Sequence, residues 1–185
     1  MTTTEAENRL DARSFLDKPK LLEVIPGDGS ITGISVLNSE LFVVRGSVSP
    51  SQVNVYNTNS FTWTRNITIT GSSGLRAVVA SPRYNCLYVS DPDLKAVHLY
   101  NLSNNVTTQW SVSGWCRRLS LTSTHNVLVT QWDTRRVKEY SPDGSRLIRE
   151  ISLDGSIEYP HHSVQLSSDQ LVVSHGSGGT LHECV

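Results

Sequence analysis

Beyond the first twenty residues, hydrophobic positions fall in short runs separated by Gly, Pro, Asn, Asp and Ser. The pattern is clearest between Asn126 and Leu153. A compact run (Val127, Leu128, Val129) leads through a polar loop to Val137–Tyr140. Ser141-Pro142-Asp143-Gly144 then turns the chain into a third run, Leu147–Leu153. Apolar runs of this length, bounded by turn residues, predict β-strands in tight hairpins. The same reading predicts strands at Ile34–Val36, Leu41–Val44, Gln52–Tyr56 and Ile67–Ile69 in a first unit. A second unit has Ala77–Val79, Cys86–Val89, Ala96–Tyr100 and Thr107–Val112. The third has Leu119–Leu121, Val127–Thr130, Arg136–Tyr140 and Leu147–Leu153. The fourth has Ser163–Leu166, Leu171–Ser174 and Leu181–Val185. Helical periodicity occurs only near the N-terminus. There Thr4-Glu5-Ala6-Glu7 forms a capping box, Ala12, Phe15 and Leu16 make a narrow stripe, and Pro19 ends the pattern.

The units return to register. Tyr56, Tyr100, Tyr140 and Cys184 share one repeat position, at separations of 44, 40 and 44 residues. Leu41, Leu87, Val127 and Leu171 share another, at 46, 40 and 44. Four antiparallel strands in a repeat of this length are expected of a β-propeller blade. Helical repeat arrays lack this period of two, and a sandwich does not predict a returning register. The expected organisation is an all-β domain over residues 21–185, preceded by a short helix and linker over 1–20. Its blades are placed at 30–70, 71–113, 114–154 and 155–185. The last is incomplete unless a strand at 21–25 closes it. Four such units read as part of a larger ring, with open edges that invite self-association.

Composition narrows the function classes. Sixteen Lys and Arg against seventeen Asp and Glu leave a formal charge of -1, so no global field recruits nucleic acid or anionic lipid. No apolar run approaches the roughly 18 residues of a membrane span. The N-terminus is too charged for a secretory signal. Three scattered cysteines, Cys86, Cys116 and Cys184, supply neither a disulfide framework nor a zinc cage. A cytoplasmic location without membrane contact is the expectation. No metal or cofactor is implied.

The segment Trp132-Asp133-Thr134-Arg135-Arg136-Val137-Lys138-Glu139-Tyr140-Ser141-Pro142-Asp143-Gly144 resembles the NHL-repeat family, and Asp91–Tyr100 matches it more loosely. The resemblance covers roughly residues 30–185 and implies propellers that are typically six-bladed. Arg45–Pro50 and the glycine-rich stretch from His175 to Gly179 depart from the pattern. Such propellers often belong to ubiquitin ligases with RING and B-box modules. No such cysteine-rich module is present, so ligase activity does not transfer.

Loops leading into each blade and loops between its second and third strands share one face. That face gathers Arg76, Trp115, Arg117, Arg118, Trp132, Asp133, Arg135, Arg136 and His162, with Asp91, Asp93, Lys95, Tyr159, His161 and His175 nearby. Trp and Arg dominate interface hot spots. The expected function is therefore a non-catalytic scaffold that binds a protein or peptide partner through this face. An RNA-binding propeller is one alternative, since Trp115–Glu150 holds seven Arg or Lys against four Asp or Glu. Another is a metal-dependent hydrolase or lyase on the axis, as in the lactonases and amidating lyase that are similar in outline. The matching axial positions here are Arg76, Arg117 or Arg118, and His162. Two cations beside one histidine repel a divalent metal and suit an anion better. His161 and His162, adjacent on a strand, point to opposite faces and do not pair on one ion. No GxSxG elbow occurs. Cys116, beside two arginines, is either an activated thiol or an inert small residue.

Overall fold

A computed structural model describes residues 29–46, 51–167, 170–176 and 181–184. The helix expected within residues 1–20 and the strand expected at 21–25 lie outside the described residues. All described secondary structure is β.

Four antiparallel sheets follow one another along the chain. The first contains β1 (Ser30–Leu37), β2 (Glu40–Gly46), β3 (Gln52–Asn57) and β4 (Trp63–Thr68). The second contains β5 (Ala77–Ser81), β6 (Cys86–Asp91), β7 (Ala96–Asn101) and β8 (Thr107–Ser111). The third contains β9 (Cys116–Leu121), β10 (Val127–Gln131), β11 (Arg136–Tyr140) and β12 (Leu147–Ser152). The fourth has three strands: β13 (Pro160–Ser167), β14 (Gln170–His175) and β15 (Leu181–Cys184). Strand order within each sheet is sequential, as hairpin-linked meanders require.

The repeat positions found in the sequence are cross-strand partners. Leu41 pairs with Tyr56, Leu87 with Tyr100, Val127 with Tyr140 and Leu171 with Cys184. The same ladder position thus recurs in every sheet. The main departure is β4, which spans Trp63–Thr68 rather than the expected Ile67–Ile69. This outermost strand buries only Ile67. An exposed strand has no apolar alternation to betray it.

Successive sheets stack through three apolar clusters. Phe42, Val44, Val53 and Val55 of the first sheet meet Val78, Leu87 and Val89 of the second. The second offers Ala77, Cys86, Tyr88 and Val97 to Leu119, Val127 and Val129 of the third. The third offers Leu128 and Val137 to Leu171 and Val173 of the fourth. Alternate residues of a strand face opposite sides, so each inner sheet supplies one apolar set to each neighbour. The innermost strands β1, β5, β9 and β13 touch in that order. They converge on a central cavity of about 340 Å³. This is a radial, propeller-like arrangement. Among the described residues no apolar cluster joins the fourth sheet to the first. Ile34 and Val36 on β1 are 64% and 60% exposed, and Leu166 on β13 is 61% exposed.

Candidate functional site

The loops at one end of the sheets are tied together by their own backbone. Trp132 N donates to Trp115 O at 3.2 Å, Arg76 N to Ser90 O at 3.0 Å, and Gly176 N to Glu158 O at 3.1 Å. Two carboxylates extend the pattern, Asp91 buried and Asp133 exposed. Asp91 accepts from Ser73 N at 2.6 Å, Gly74 N at 3.1 Å and Leu94 N at 3.2 Å. Beside it lies His98, fully buried, with Nε2 3.4 Å from the carboxylate. Burial lowers the His98 pKa, and Asp91 opposes that shift only in part. Asp133 does for the third sheet what Asp91 does for the second, accepting from Trp115 N at 2.8 Å. Both aspartates are therefore loop clamps.

On this frame stands a ladder of three aromatic rings. Trp115, leading into β9, stacks on Trp132 of the β10–β11 loop at 5.9 Å between centroids and 22° between planes. Trp132 stacks on Tyr159, leading into β13, at 4.8 Å and 30°. Trp115 and Tyr159 are separated by the 44-residue repeat, so equivalent loops of adjacent sheets flank the intervening loop. The outer rings remain 48% and 49% exposed. Tyr159 holds φ at 52°, a left-handed conformation unusual for a bulky residue. Arg117 lies over the Trp132 ring, its Cζ 5.9 Å from the centroid.

The arginines divide into two groups. Arg136 is ion-paired with Glu150 on the neighbouring strand, a carboxylate it shares with Lys138 at 2.8 Å. Arg135 sits 3.9 Å from Glu158 and 3.5 Å from Gly155 O. Neither makes a ring contact among the described residues, and Arg136 is committed to holding β11 on β12. Arg76, Arg117 and Arg118 form no ion pair among the described residues. Arg118 is anchored instead by main-chain oxygens. Its Nη1 donates to Thr32 O at 2.6 Å and to Arg76 O at 3.4 Å, crossing from the third sheet to the first and second. Burial lowers its pKa, and the charges of Arg117 and Arg76 push the same way. Arg76 and Arg117 also line a slot of about 150 Å³ with Pro92, Asp93 and Trp115.

His162 lines the central cavity, with Nε2 3.3 Å from Leu119 O. Burial lowers its pKa, opposed by the Leu119 O bond and reinforced by Arg118. Burial also lowers the His161 pKa, and Arg117 and Arg118 push the same way. Among the described residues no group of three or more His, Cys, Asp or Glu is placed to hold a metal. Cys116 is buried, and desolvation pushes its thiol up to about 12. Its Sγ donates to Ala96 O at 3.1 Å. The adjacent arginines do not activate it, because its side chain points into the core.

No protein-family model and no curated protein matches the sequence. Solved structures match in shape. Hydrazine synthase from Kuenenia stuttgartiensis superposes with a TM-score of 0.67 at 13% identity, over 90% of this chain and 49% of that one. Dihydro-heme d1 dehydrogenase NirN, solved with DHE, gives 0.61 at 15% identity, over 81% and 34%. The computationally designed Ika4 protein gives 0.58 at 14%, over 90% and 98%. The likeness is one of fold. The chain spans about half of the hydrazine synthase chain and a third of NirN. No described helix is long and apolar enough to cross a membrane.

Proposed function

We propose that this chain is a non-catalytic docking module, an arc of an NHL-type propeller ring, that binds an acidic peptide segment of a partner protein. The exposed Val36 and Leu166 on the first and last sheets support an arc rather than a closed ring. The observation that carries the binding reading is the Trp115–Trp132–Tyr159 ladder with Arg117 laid across its middle ring. Rigid aromatic rings offer contact area at little entropic cost, and arginine adds charge recognition. The rings are held in place by strand ends and an aspartate clamp, so little ordering remains for binding to impose.

The test is selection of binders from a random peptide library on the full chain, followed by affinity measurement. The selected peptides should be rich in Asp or Glu beside a Pro or aromatic residue. Their affinity should fall at least about tenfold in Trp132→Ala and in Arg117→Ala. Arg136→Ala should leave it unchanged, because that guanidinium already serves Glu150. Peptides that bind all three variants alike would refute the surface. Preference for single-stranded RNA, with a steep salt dependence, would replace the peptide reading with a nucleic-acid one.

A further inference from the structure

The central cavity carries a second feature, separate from the ring ladder. Its walls come from all four innermost strands, through Thr32 and Gly33, Ala77 and Val78, Arg118, and His162. The charged groups gathered at it are cationic. Arg118 lines it directly, and Arg76 and Arg117 are close enough to act on Arg118. His161 feels Arg117, Arg118 and His175, and His162 feels Arg118. Among the described residues no carboxylate acts on Arg118, His161 or His162 in the same way. Asp93 shares a slot with Arg76 and Arg117 but ion-pairs with neither. Gathering three unpaired guanidinium groups near a half-buried cavity is unfavourable unless an anion joins them.

Arg118 is also prepared for such a guest. Its Nη1 is fixed by Thr32 O and Arg76 O. Its Nε and Nη2 donate to no acceptor among the described residues. A guanidinium fixed at one nitrogen presents its remaining N–H groups in a set direction, matching the paired oxygens of a carboxylate or phosphate. We infer that the central cavity is an oxyanion site, where Arg118 receives a carboxylate or phosphate group and Arg76 and Arg117 hold its mouth. At about 340 Å³ the cavity accommodates a small phosphorylated or dicarboxylic molecule. The site goes beyond the peptide reading and does not require it, since the rings stand outside the cavity.

The full chain is titrated calorimetrically at low ionic strength with inorganic phosphate, succinate and acetate. Saturable one-site binding of at least one of these anions is expected. Arg76→Gln and Arg117→Gln should each weaken it about tenfold, equivalent to about 1.4 kcal/mol. Arg83→Gln removes the same charge from the β5–β6 turn, where Arg83 lies over Tyr84, and should leave affinity unchanged. The preferred anion identifies the source, phosphate pointing to a phosphorylated ligand and succinate or acetate to a carboxylate. Circular dichroism verifies that each variant is folded. Absence of saturation by folded wild-type protein overturns the inference. So does an equal loss in Arg83→Gln, which would mean diffuse charge attraction. Because the probes contain no peptide, a failure of peptide docking leaves this result readable on its own.

Discussion

Replacing Trp132 with alanine tests whether the three rings form one mechanical unit. The substitution removes the middle ring, and with it the 5.9 Å stack on Trp115, the 4.8 Å stack on Tyr159 and the Arg117 contact. Aromatic pairs contribute about 0.5–1.5 kcal/mol each beyond burial. An exposed cation–π contact adds about 0.5–1 kcal/mol. Trp115 and Tyr159 are half exposed, so the lower part of each range applies. The expected cost is about 2 kcal/mol. For a chain of this length that lowers the melting temperature by about 4–8 °C. Urea unfolding followed by far-ultraviolet circular dichroism measures the loss. Double-mutant cycles with Trp115→Ala and Tyr159→Ala then apportion it, each coupling expected at about 0.5 kcal/mol or more. A loss within about 0.5 kcal/mol, or couplings near zero, would mean that the rings are neighbours without being a platform. The docking proposal would lose its preorganised surface with that result.

Two further outcomes probe the turn after β11. The Asp143 carboxyl is held down to about 2 from its ordinary 3.8, chiefly by the Ser141 and Ser145 hydroxyls and the Ser145 N–H. A depressed carboxyl stabilises the fold above its unfolded pKa, and that contribution is lost as pH falls from about 4 towards 2. Urea midpoints measured across this window should fall less steeply in Asp143→Asn than in the wild type; parallel curves would remove the assignment. Gly144 holds φ at 72°, and a Cβ there would enter the Trp110 ring. The left-handed penalty is about 1–2 kcal/mol and overpacking costs about 1–3 kcal/mol. Gly144→Ala should therefore destabilise by about 2–5 kcal/mol in urea unfolding, and a change below about 1 kcal/mol would contradict the close approach.

The strand framework was readable from the sequence because its cause is local and repeated. Each sheet pairs an apolar residue of its second strand with the same register position of its third, and Leu41, Leu87, Val127 and Leu171 mark that place four times. The outer strand β4 was expected only at its end, Ile67 and Thr68, because the rest buries almost nothing. The loop face was readable only in outline. Antiparallel order places Trp115, Trp132, Arg117 and Arg118 at one end, but order alone does not say which side chains are already engaged. Asp133 proved to clamp the Trp115 N–H, and Arg136 proved to serve Glu150. Lys138 and Glu150 are direct cross-strand partners, with Arg136 two residues along the same face. That charge pairing is visible in sequence once the hairpin register is fixed. The place of Tyr159 in the ladder also had a signal, its 44-residue spacing from Trp115.

These placements separate what holds the fold from what is exposed for recognition. The interfaces between sheets use mostly aliphatic residues, joined by buried aromatics such as Phe42 and Tyr88. The loop clamps recur, with Asp91 and Asp133 each fastening the loop that leads into their own sheet. Among the described residues the aromatic ladder does not recur. It occurs where the third sheet meets the fourth, and the unpaired arginines crowd beside it towards the central cavity. A repeat satisfies its packing needs with the residues it shares among units. Side chains that break the repeat, remain half exposed and leave their charge uncompensated are not required by the packing that the units share. They are the groups that a ligand would use. Exchanging them should change what the surface binds while leaving the three apolar interfaces intact.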